Sequence, residues 1–325
     1  MVKKALQLEP VCCGVCSGDQ WREYAKGKDY EYNTSDDVFQ IVECQLCGNL
    51  YLNPRPTKSE LSTIYPPNYY AYNYNVAINP IAIRAKDWLD KVKVKQWLQH
   101  LSTPTPRFLD VGCGNGRYLK ILHQLGVPRD YLYGVEMSDR QIEQLKADGF
   151  HGYYGRIEDV EDQLPAASFD LIVLLQVLEH VENPRQMMTS LAKLLAPGGI
   201  LIVETPNTKS WDVKLFRRGY WGGYHIPRHW NLLSAATLKR LANEQGLDIK
   251  TFNFLPAHSF WIFSFHHWIS DRWKNKTLAN WFNPYQNLIL LTIFTGFDLV
   301  RARLGFSTSN IQMVALKPYP PTEQE

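Results

Sequence analysis

Three sets of side chains in this sequence could do chemistry: paired cysteines, two carboxylates that close apolar runs, and a late group of histidines. The cysteines occur as Cys13-x-x-Cys16 and Cys44-x-x-Cys47, a spacing at which two turns can present four thiolates to a tetrahedral Zn²⁺. Thiols that stay reduced in a cytosol bind metal more often than they form disulfides. We therefore predict a closed, structural zinc site. Cys12 could replace Cys13, and thioredoxin-like redox chemistry is the alternative.

The stretch FLDVGCGNGRYLK, residues 108–120, leads from an apolar run through a glycine turn into an amphipathic pattern. Glycines let the backbone approach a ligand closely, and the start of a helix offers free N–H groups. The dinucleotide fingerprint does not fit, because Arg117 stands where its third glycine belongs, and no P-loop Gly-Lys-Ser/Thr follows. A carboxylate here would repel a pyrophosphate and attract an ammonium group. The residues predicted to hold such a cationic ligand are Asp110, Gly112, Gly114 and Gly116.

A second carboxylate, Glu136, closes the apolar run YLYGVE. It stands roughly 20–25 residues after the first glycine in the sequence. An acidic residue at this separation can accept hydrogen bonds from both hydroxyls of a ribose. Taken alone, it could be any carboxylate at the end of a strand. Together with the glycine turn, it predicts a ligand with an amine at one end and a nucleoside at the other.

Short apolar runs alternate with amphipathic stretches from residue 106 onward. This alternation predicts an α/β fold, a Rossmann-like doubly wound sheet whose parallel strands are joined by helices on both faces. The predicted strands cover residues 106–111, 131–136, 151–154, 169–175 and 199–204. The predicted helices cover residues 81–101, 116–125, 139–148 and 185–196. Ligands of such sheets bind beyond the carboxyl ends of the strands, where Gly112, Glu136 and Gln176 would lie.

Composition narrows the choice of partners. The 325 residues carry Lys+Arg 35 and Asp+Glu 32, a net charge of +3 without a basic block, so we expect a small-molecule partner and no nucleic acid. The N-terminal MVKKALQLEP has no apolar segment before its proline and does not resemble a secretory signal, which favours a cytoplasmic protein. The apolar stretch 287–297 is too short to cross a bilayer and is predicted to be a core helix, with membrane contact as a minor alternative.

Four motifs in succession carry a family resemblance: LDVGCGNGRYL, GVEMS, FDLIVLLQVLEHVENP and LLAPGGILIVETPN. They resemble the class I S-adenosylmethionine-dependent methyltransferases over residues 105–250. The paired cysteines with CQLCGNLYLNPRPT and IYPPNYY are similar to the zinc-ribbon N-terminus of a bacterial branch that includes sugar C-methyltransferases. The resemblance implies S-adenosylmethionine as cofactor, with its methionine portion held by the acid and the glycine turn.

The same resemblance assigns further cofactor contacts. It implies that Glu136 holds the ribose and that Met137 lies against adenine. Many members have an aspartate after the third strand, but here Arg156 fills that place, and the backbone amides of Ile157 or Glu158 could serve instead. Gln176, at the end of the fourth strand, is expected beside the methionyl chain or the sulfonium.

Methyl transfer needs an aligned nucleophile and often a base. Glu179 and His180 lie in the run LEH, which many members share, and we expect a structural or cofactor-side role for them. The segment RGYWGGYHIPRHWNLLS offers better candidates, since it follows the fifth strand and leads into a helix that Ser234 can cap. The predicted catalytic residues are His225, His229 and Tyr224, with Arg228 beside them. The alternative is that such a histidine only packs against Trp230 or caps a loop.

Three parts are predicted: a zinc-ribbon-like domain over residues 1–60, a linker with lead-in helices over 61–104, and a methyltransferase domain over 105–325. An insertion over about 256–306 separates a sixth strand, LDIKTFNFL, from a closing antiparallel strand, IQMVALKP. One helical face of the insertion is apolar and is predicted to be core, the alternative being an acceptor pocket or a membrane-touching lid. That face carries Trp261, Ile262, Phe265, Trp268 and Ile269.

These features predict a methyltransferase that acts on carbon or oxygen of a sugar, a nucleotide-linked sugar or a related metabolite. Base methylation is disfavoured, because LLQVLEH stands where such enzymes carry an Asn/Asp-Pro-Pro-aromatic run. Three alternatives remain open: a lipid-linked acceptor at a membrane surface, a non-catalytic zinc-ribbon adaptor, and an NAD-dependent oxidoreductase. Asp110 and Arg117 argue against the oxidoreductase.

Overall fold

The computed structural model describes residues 5–67, 69, 80–283 and 287–320. Most of the tyrosine-rich part of the predicted linker, and the last five residues of the polar tail, lie outside the described residues.

Thirteen strands and eleven α-helices occur in these described ranges. The strands are β1 (Leu8–Glu9), β2 (Trp21–Gly27), β3 (Phe39–Cys44), β4 (Leu50–Leu52), β5 (Arg55–Pro56), β6 (Phe108–Val111), β7 (Leu132–Glu136), β8 (His151–Tyr154), β9 (Phe169–Leu175), β10 (Leu195–Pro206), β11 (Asn231–Leu232), β12 (Asp248–Leu255) and β13 (Asn310–Leu316). The helices are α1 (Leu61–Ile64), α2 (Pro80–Leu98), α3 (Arg117–Gln124), α4 (Asp139–Ala147), α5 (Ile157–Val160), α6 (Pro184–Leu194), α7 (Trp211–Leu215), α8 (Ala235–Asn243), α9 (His258–Arg272), α10 (Lys276–Trp281) and α11 (Leu288–Arg303).

Seven strands form the central sheet in the order β12-β13-β10-β9-β6-β7-β8. Strands β6 to β10 are parallel, and β13 runs antiparallel between β10 and β12. Along β9, Leu171 and Val173 join the core on one face of the sheet, while Ile172 and Leu174 join the core on the other. Both faces are covered, which is why these strands read as unbroken apolar runs. The predicted α/β fold and its closing antiparallel strand are confirmed.

The N-terminal part forms two small sheets, β1-β5 and β11-β4-β3-β2. The edge strand β11 does not come from this part of the chain. It belongs to the segment RGYWGGYHIPRHWNLLS, residues 218–234, here called the acceptor segment, and its Asn231 and Leu232 pair with Tyr51 and Leu50 of β4. The small sheet therefore fastens residues 222–231 to the N-terminal part, while the predicted domain boundaries stay predictions.

The caps of two helices explain where they begin. The Ser234 side chain accepts a hydrogen bond from the Thr237 amide at the start of α8, and the Thr237 hydroxyl accepts one from the Ser234 amide. This reciprocal pair satisfies amides that a helix start leaves free, and the predicted role of Ser234 is confirmed. At α6 the Asn183 side chain accepts from the Gln186 amide, with Pro184 in the first turn, where its fixed φ suits the helix.

The insertion between β12 and β13 packs through α9. Three side chains of its apolar face are buried: Trp261, Ile262 and Ile269. Two more, Phe265 and Trp268, are half-buried and pack against the apolar cluster that contains Phe39, Ile41 and Leu50 of the small sheet. The prediction that this aromatic face belongs to the core is confirmed.

The prediction that residues 287–297 form a core helix is wrong. The buried residues of α11 are Leu290 and two charged residues, Asp298 and Arg301. Asp298 accepts hydrogen bonds from the Ala257 amide at 2.8 Å and the Trp261 indole at 3.1 Å, and pairs with Arg301 at 3.0 Å. Because these groups turn the polar face inward, the opposite apolar face lies in solvent. This α11 face, with Leu304 just beyond it, consists of Ile289, Ile293, Phe297, Val300 and Leu304. Within the described ranges, no helix is long and apolar enough to cross a membrane.

Candidate active site

The predicted cofactor turn connects β6 to α3 and is built on left-handed backbone. Gly112, Gly114 and Gly116 have φ of 77°, 53° and 71°, values that glycine adopts without the steric strain of a side chain. A Cβ at Gly112 would lie 2.5 Å from Val177, and one at Gly116 would lie 2.3 Å from Leu145. A Cβ at Gly114 would meet nothing within 4 Å. Two glycines thus serve close packing, and Gly114 faces open space where a ligand can approach.

Asp110 is 2 % exposed in the middle of the sheet, and its Oδ2 has no hydrogen-bond partner among the described residues. Burial raises the pKa of this carboxyl to about 7, with a further contribution from Glu136, against the opposing effect of Lys93. A buried carboxylate without a partner is costly, so it is poised to take a cationic one.

Glu136 ends β7 beside this turn. Its carboxylate accepts hydrogen bonds from the amides of Gly114 at 3.0 Å and Met137 at 2.7 Å. The structure therefore brings Asp110, the glycine turn and Glu136 together at one edge of the sheet. Met137 follows with an exposed side chain.

The third predicted contact also lies at this edge, because the Gly155 amide donates to the Glu136 carbonyl at 3.1 Å. Arg156 pairs with Glu182 at 2.6 Å, so its guanidinium is engaged away from the turn. Ile157 is buried and Glu158 is half-buried at the first turn of α5. The contact through their amides stays a prediction.

Gln176 follows β9 with a left-handed φ of 56°, a conformation that costs a non-glycine residue about 1–2 kcal/mol. Its amide donates to the Glu204 carbonyl at 2.8 Å, and its side chain donates to Asn310 at 3.0 Å. These bonds hold the residue at the strand end, where the sharp turn starts the segment 176–180.

The four predicted zinc ligands form one cluster. The sulfurs of Cys13, Cys16, Cys44 and Cys47 all lie within 4.8 Å of one another, with contacts of 3.6 Å between Cys13 and Cys47 and 3.4 Å between Cys16 and Cys44. A tetrahedral thiolate site with Zn–S of about 2.3 Å needs S–S separations of about 3.8 Å, so the cluster fits zinc. Cys12 is exposed and is not part of the cluster.

The segment 176–180 links the cofactor turn to the predicted acceptor segment. Val177 packs on Gly112. Two residues further on, the Glu179 carbonyl accepts hydrogen bonds from the amides of Trp230 at 2.8 Å and Asn231 at 2.9 Å. The acceptor segment is therefore fixed beside the turn that is predicted to bind the cofactor.

Three imidazoles meet at this point. The ring centroids of His180 and His229 are 4.6 Å apart, those of His225 and His229 are 4.9 Å apart, and those of His180 and His225 are 6.2 Å apart. Both predicted bases, His225 and His229, thus join His180, for which a structural or cofactor-side role was expected.

Sequence reasoning missed Glu31, which comes from the turn between β2 and β3. Its carboxylate lies 2.8 Å from Nδ1 of His225, and both side chains are buried. Burial alone would raise the pKa of Glu31, but His225 and His267 beside it hold that pKa below its usual range. The only signal in the sequence was an acidic residue in a turn, which is common on surfaces.

Arg228 is engaged in a buried ion pair with the N-terminal part of the chain. Its guanidinium forms a bidentate pair with Asp29, at 3.1 Å and 2.9 Å, and neither side chain is exposed. The ring of Tyr32 covers the guanidinium at 4.4 Å. Because Asp29, Glu31 and Tyr32 belong to one turn, this ion pair fixes the turn that supplies the partner of His225. This ion pair is a structural role, and the predicted place of Arg228 among the candidates for binding the acceptor stays a prediction.

The hydroxyl of Tyr224 is hydrogen-bonded to a backbone carbonyl and not to one of the three imidazoles. Tyr224 is 1 % exposed, packs edge-on against Trp221, and its hydroxyl donates to the Arg217 carbonyl at 3.3 Å. Burial raises its pKa well above the ordinary value. Its catalytic role stays a prediction, and these contacts are those of a core tyrosine.

A family profile described as a methyltransferase domain matches residues 84–251, just over half of the chain. The sheet order, the glycine turn and the two acidic strand ends define an S-adenosylmethionine-dependent methyltransferase. The chain belongs to this methyltransferase domain family.

Curated relatives share part of the chain. A ubiquinone biosynthesis O-methyltransferase of Dechloromonas aromatica is 32 % identical over 136 residues, covering 40 % of this chain and 52 % of the relative. The match thus spans about half of that relative's length. One from Neisseria meningitidis is 26 % identical over 196 residues, covering 56 % of this chain and 75 % of the relative. A solved SAM-dependent methyltransferase from Archaeoglobus fulgidus aligns with TM-score 0.47 and 16 % identity, over 71 % of this chain and 94 % of that one.

Proposed function

We propose that the chain methylates an oxygen or carbon atom of a small hydroxylated acceptor, a sugar or a nucleotide-linked sugar, with His225 as the general base. The observation that carries this proposal is the Glu31–His225 pair, buried next to the segment that packs on the cofactor turn. The resemblance of the zinc ribbon to the sugar C-methyltransferase branch supports the sugar class. The names of the curated relatives support a hydroxyl oxygen as the accepting atom.

The residues at the sheet edge fit S-adenosylmethionine. The unpartnered Oδ2 of Asp110 would pair with the ammonium of the methionine portion, and Gly114 leaves room for the chain. Glu136 would accept from the ribose hydroxyls, Met137 would lie against adenine, and the amides of Ile157 or Glu158 would face the base. Gln176 would stand beside the methionyl chain. When bound, the cofactor supplies an electrophilic methyl group on a sulfonium and leaves as neutral S-adenosylhomocysteine.

His225 is prepared to take a proton. A carboxylate can only accept a hydrogen bond, so Nδ1 of His225 carries the hydrogen that Glu31 binds, and the lone pair is on Nε2. The acceptor proton would move to Nε2 as the new O–CH₃ or C–CH₃ bond forms and the S–CH₃ bond breaks. Glu31 would stabilise the resulting imidazolium, as a carboxylate does for a histidine base in other enzymes.

Labelled S-adenosylmethionine and a panel of sugars and nucleotide-linked sugars test this proposal, with mass gain of the acceptor as the readout. With an acceptor in hand, His225→Gln is expected to lower kcat by about 10²–10⁴-fold, with affinity for S-adenosylhomocysteine unchanged. Glu31→Gln should lower kcat less, and the double variant should be no worse than His225→Gln alone, because the two residues act as a unit. Two variants at exposed positions, Glu23→Gln and His151→Gln, are matched controls.

Unchanged turnover in His225→Gln would remove the base assignment. Additive losses in the double variant would make Glu31 a structural residue only. Tight cofactor binding with no product across the whole panel would favour the non-catalytic adaptor instead.

A second candidate acceptor is a sugar linked to a lipid, and the α11 face favours it. Five apolar side chains at helical spacing lie in solvent there, with exposed Trp281 shortly before them and Arg303 in the last turn of the helix. An apolar row bordered by tryptophan and a basic residue is typical of helices that lie in a membrane interface.

Sedimentation with anionic phospholipid vesicles tests this second candidate. The wild-type chain is expected to bind the vesicles, and Ile293→Glu with Val300→Glu should abolish binding, because charged groups would have to enter the apolar layer. Folding should be unaffected, since both positions are more than half exposed. Wild-type protein that stays in the supernatant would exclude this candidate and leave soluble acceptors.

A further inference from the structure

A second group of potential metal ligands lies beside the proposed base, away from the cysteine cluster. One ligand atom each of Glu179, His180 and His229 lies within 4.8 Å of the other two. Glu179 is completely buried, and its Oε1 lacks a hydrogen-bond partner in the described part of the chain. That oxygen is 4.0 Å from Nε2 of His229, too far for a hydrogen bond. The contact therefore leaves a buried polar atom that still needs a partner.

Hydrogen bonds on the far side of each ring fix both imidazoles. Nδ1 of His229 lies 2.9 Å from the Gly223 carbonyl. Nδ1 of His180 lies 3.1 Å from the Arg228 carbonyl and 2.9 Å from the Tyr65 hydroxyl. A carbonyl only accepts, which favours the hydrogen on each Nδ1 and the lone pair on each Nε2; in His180 the Nδ1 hydrogen is then shared between the carbonyl and the Tyr65 oxygen. Metal-binding histidines are oriented in this way by backbone carbonyls or carboxylates.

The remaining groups around the cluster agree with this arrangement. Thr205 donates to Oε2 of Glu179 at 3.0 Å and so orients the carboxylate. Burial lowers the pKa of His180 to about 3 and that of His229 well below its ordinary value, which keeps both rings neutral. Arg228, a cationic side chain near the cluster, is neutralised by Asp29. Burial raises the pKa of Glu179 to about 8, so its carboxyl holds a proton that a bound cation would displace. One carboxyl group and two neutral imidazoles thus surround one point.

We propose that Glu179, His180 and His229 bind one divalent transition-metal ion. Two imidazoles and one carboxylate are a known ligand set for zinc and for iron(II), and they leave open coordination positions. The ligand atoms lie within 4.8 Å of one another, and metal–ligand bonds of about 2.0–2.2 Å place such atoms about 3.0–3.5 Å apart, so the three groups must draw together by up to about 1.5 Å when the ion binds. The role of this ion rests on the proposed function. The ion would bind the acceptor oxygen and lower the pKa of the acceptor hydroxyl, so that His225 can remove the proton.

Titration of the zinc-loaded full chain with Co²⁺ tests this site without any acceptor. Calorimetry should show one Co²⁺ bound per wild-type chain, with no zinc released from the cysteine cluster and no thiolate-to-cobalt absorption. Glu179→Gln and His229→Gln should each weaken Co²⁺ binding by at least about 100-fold, because each removes a ligand. Thr205→Val should weaken Co²⁺ binding by about 10-fold, because Thr205 orients the Glu179 carboxylate. This variant leaves all three ligands in place, so it still tests the site if a ligand variant does not fold. His151→Gln is the control.

Two outcomes would overturn the metal site: no Co²⁺ uptake beyond the amount of zinc released, or unchanged uptake in Glu179→Gln and His229→Gln. The result is separable from the proposed base, since His225→Gln should lose turnover and keep Co²⁺ binding. Failure to find an acceptor would leave the titration fully interpretable.

Discussion

Cys44→Ser is expected to abolish zinc retention and to unfold the N-terminal part of the chain. Cys44 is a buried member of the four-sulfur cluster at the end of β3. Structural zinc in small domains has apparent binding free energies of about 10–16 kcal/mol, so loss of one thiolate removes a large share of the stability. We expect less than one zinc per chain and a markedly lower Tm, measured by elemental analysis and calorimetry.

Cys12→Ser is the matched control, because Cys12 is the exposed neighbour of a ligand and lies outside the cluster. It should keep one zinc per chain and the wild-type Tm. Turnover should fall in Cys44→Ser while S-adenosylhomocysteine still binds, because Asp29 and Glu31 lose their places but the cofactor turn belongs to the central sheet. A Cys44→Ser protein that retains zinc, or a Cys12→Ser protein that loses it, would contradict the proposed ligand set.

Asp110→Asn is expected to weaken binding of S-adenosylhomocysteine by at least about 30-fold. Removal of one partner from a buried charge pair costs about 2–5 kcal/mol, and 1.4 kcal/mol is a factor of ten. Calorimetric titration measures the affinity, and Asp130→Asn, at an exposed position, is the control. An asparagine variant that binds like the wild type would show that the carboxylate does not hold the ammonium.

The same carboxylate predicts a pH dependence. The pKa of Asp110 is raised to about 7 in the ligand-free chain by burial and by Glu136, while Lys93 acts in the opposite direction. Below this pKa the carboxyl is protonated and no longer attracts an ammonium group, so affinity should fall by up to about tenfold per pH unit as pH drops below 7. Asp110→Asn should flatten this dependence. Affinity that rises as the pH falls would be the wrong sign for this mechanism.

Features that depend on neighbouring residues were accessible from the sequence alone. The cysteine spacing predicted the four-sulfur cluster, and the glycine turn predicted the edge of the sheet where the cofactor is proposed to bind. The alternation of apolar runs predicted the central sheet. Turns, caps and strand periodicity are determined by local backbone geometry, so neighbouring residues are enough to predict them. Ser234 as a helix cap belongs to this class. For Cys12 and Cys13 the spacing allowed both, and only the fold separated them, since one thiol is exposed and the other buried.

Long-range pairings were decided by the tertiary structure. Arg228 and Asp29 are 199 residues apart in the chain, and no local pattern indicates that they pair or that the turn of Asp29 supplies Glu31 to His225. The apolar composition of α11 predicted that its apolar side chains would be buried. A helix buries the face whose side chains can bond to or pack against the rest of the fold, and in α11 that face includes Asp298 and Arg301, which form buried hydrogen bonds and an ion pair. Local hydrogen bonding thus determined the elements and the cofactor turn, while the partners of buried charges were determined by the packing of distant segments against one another.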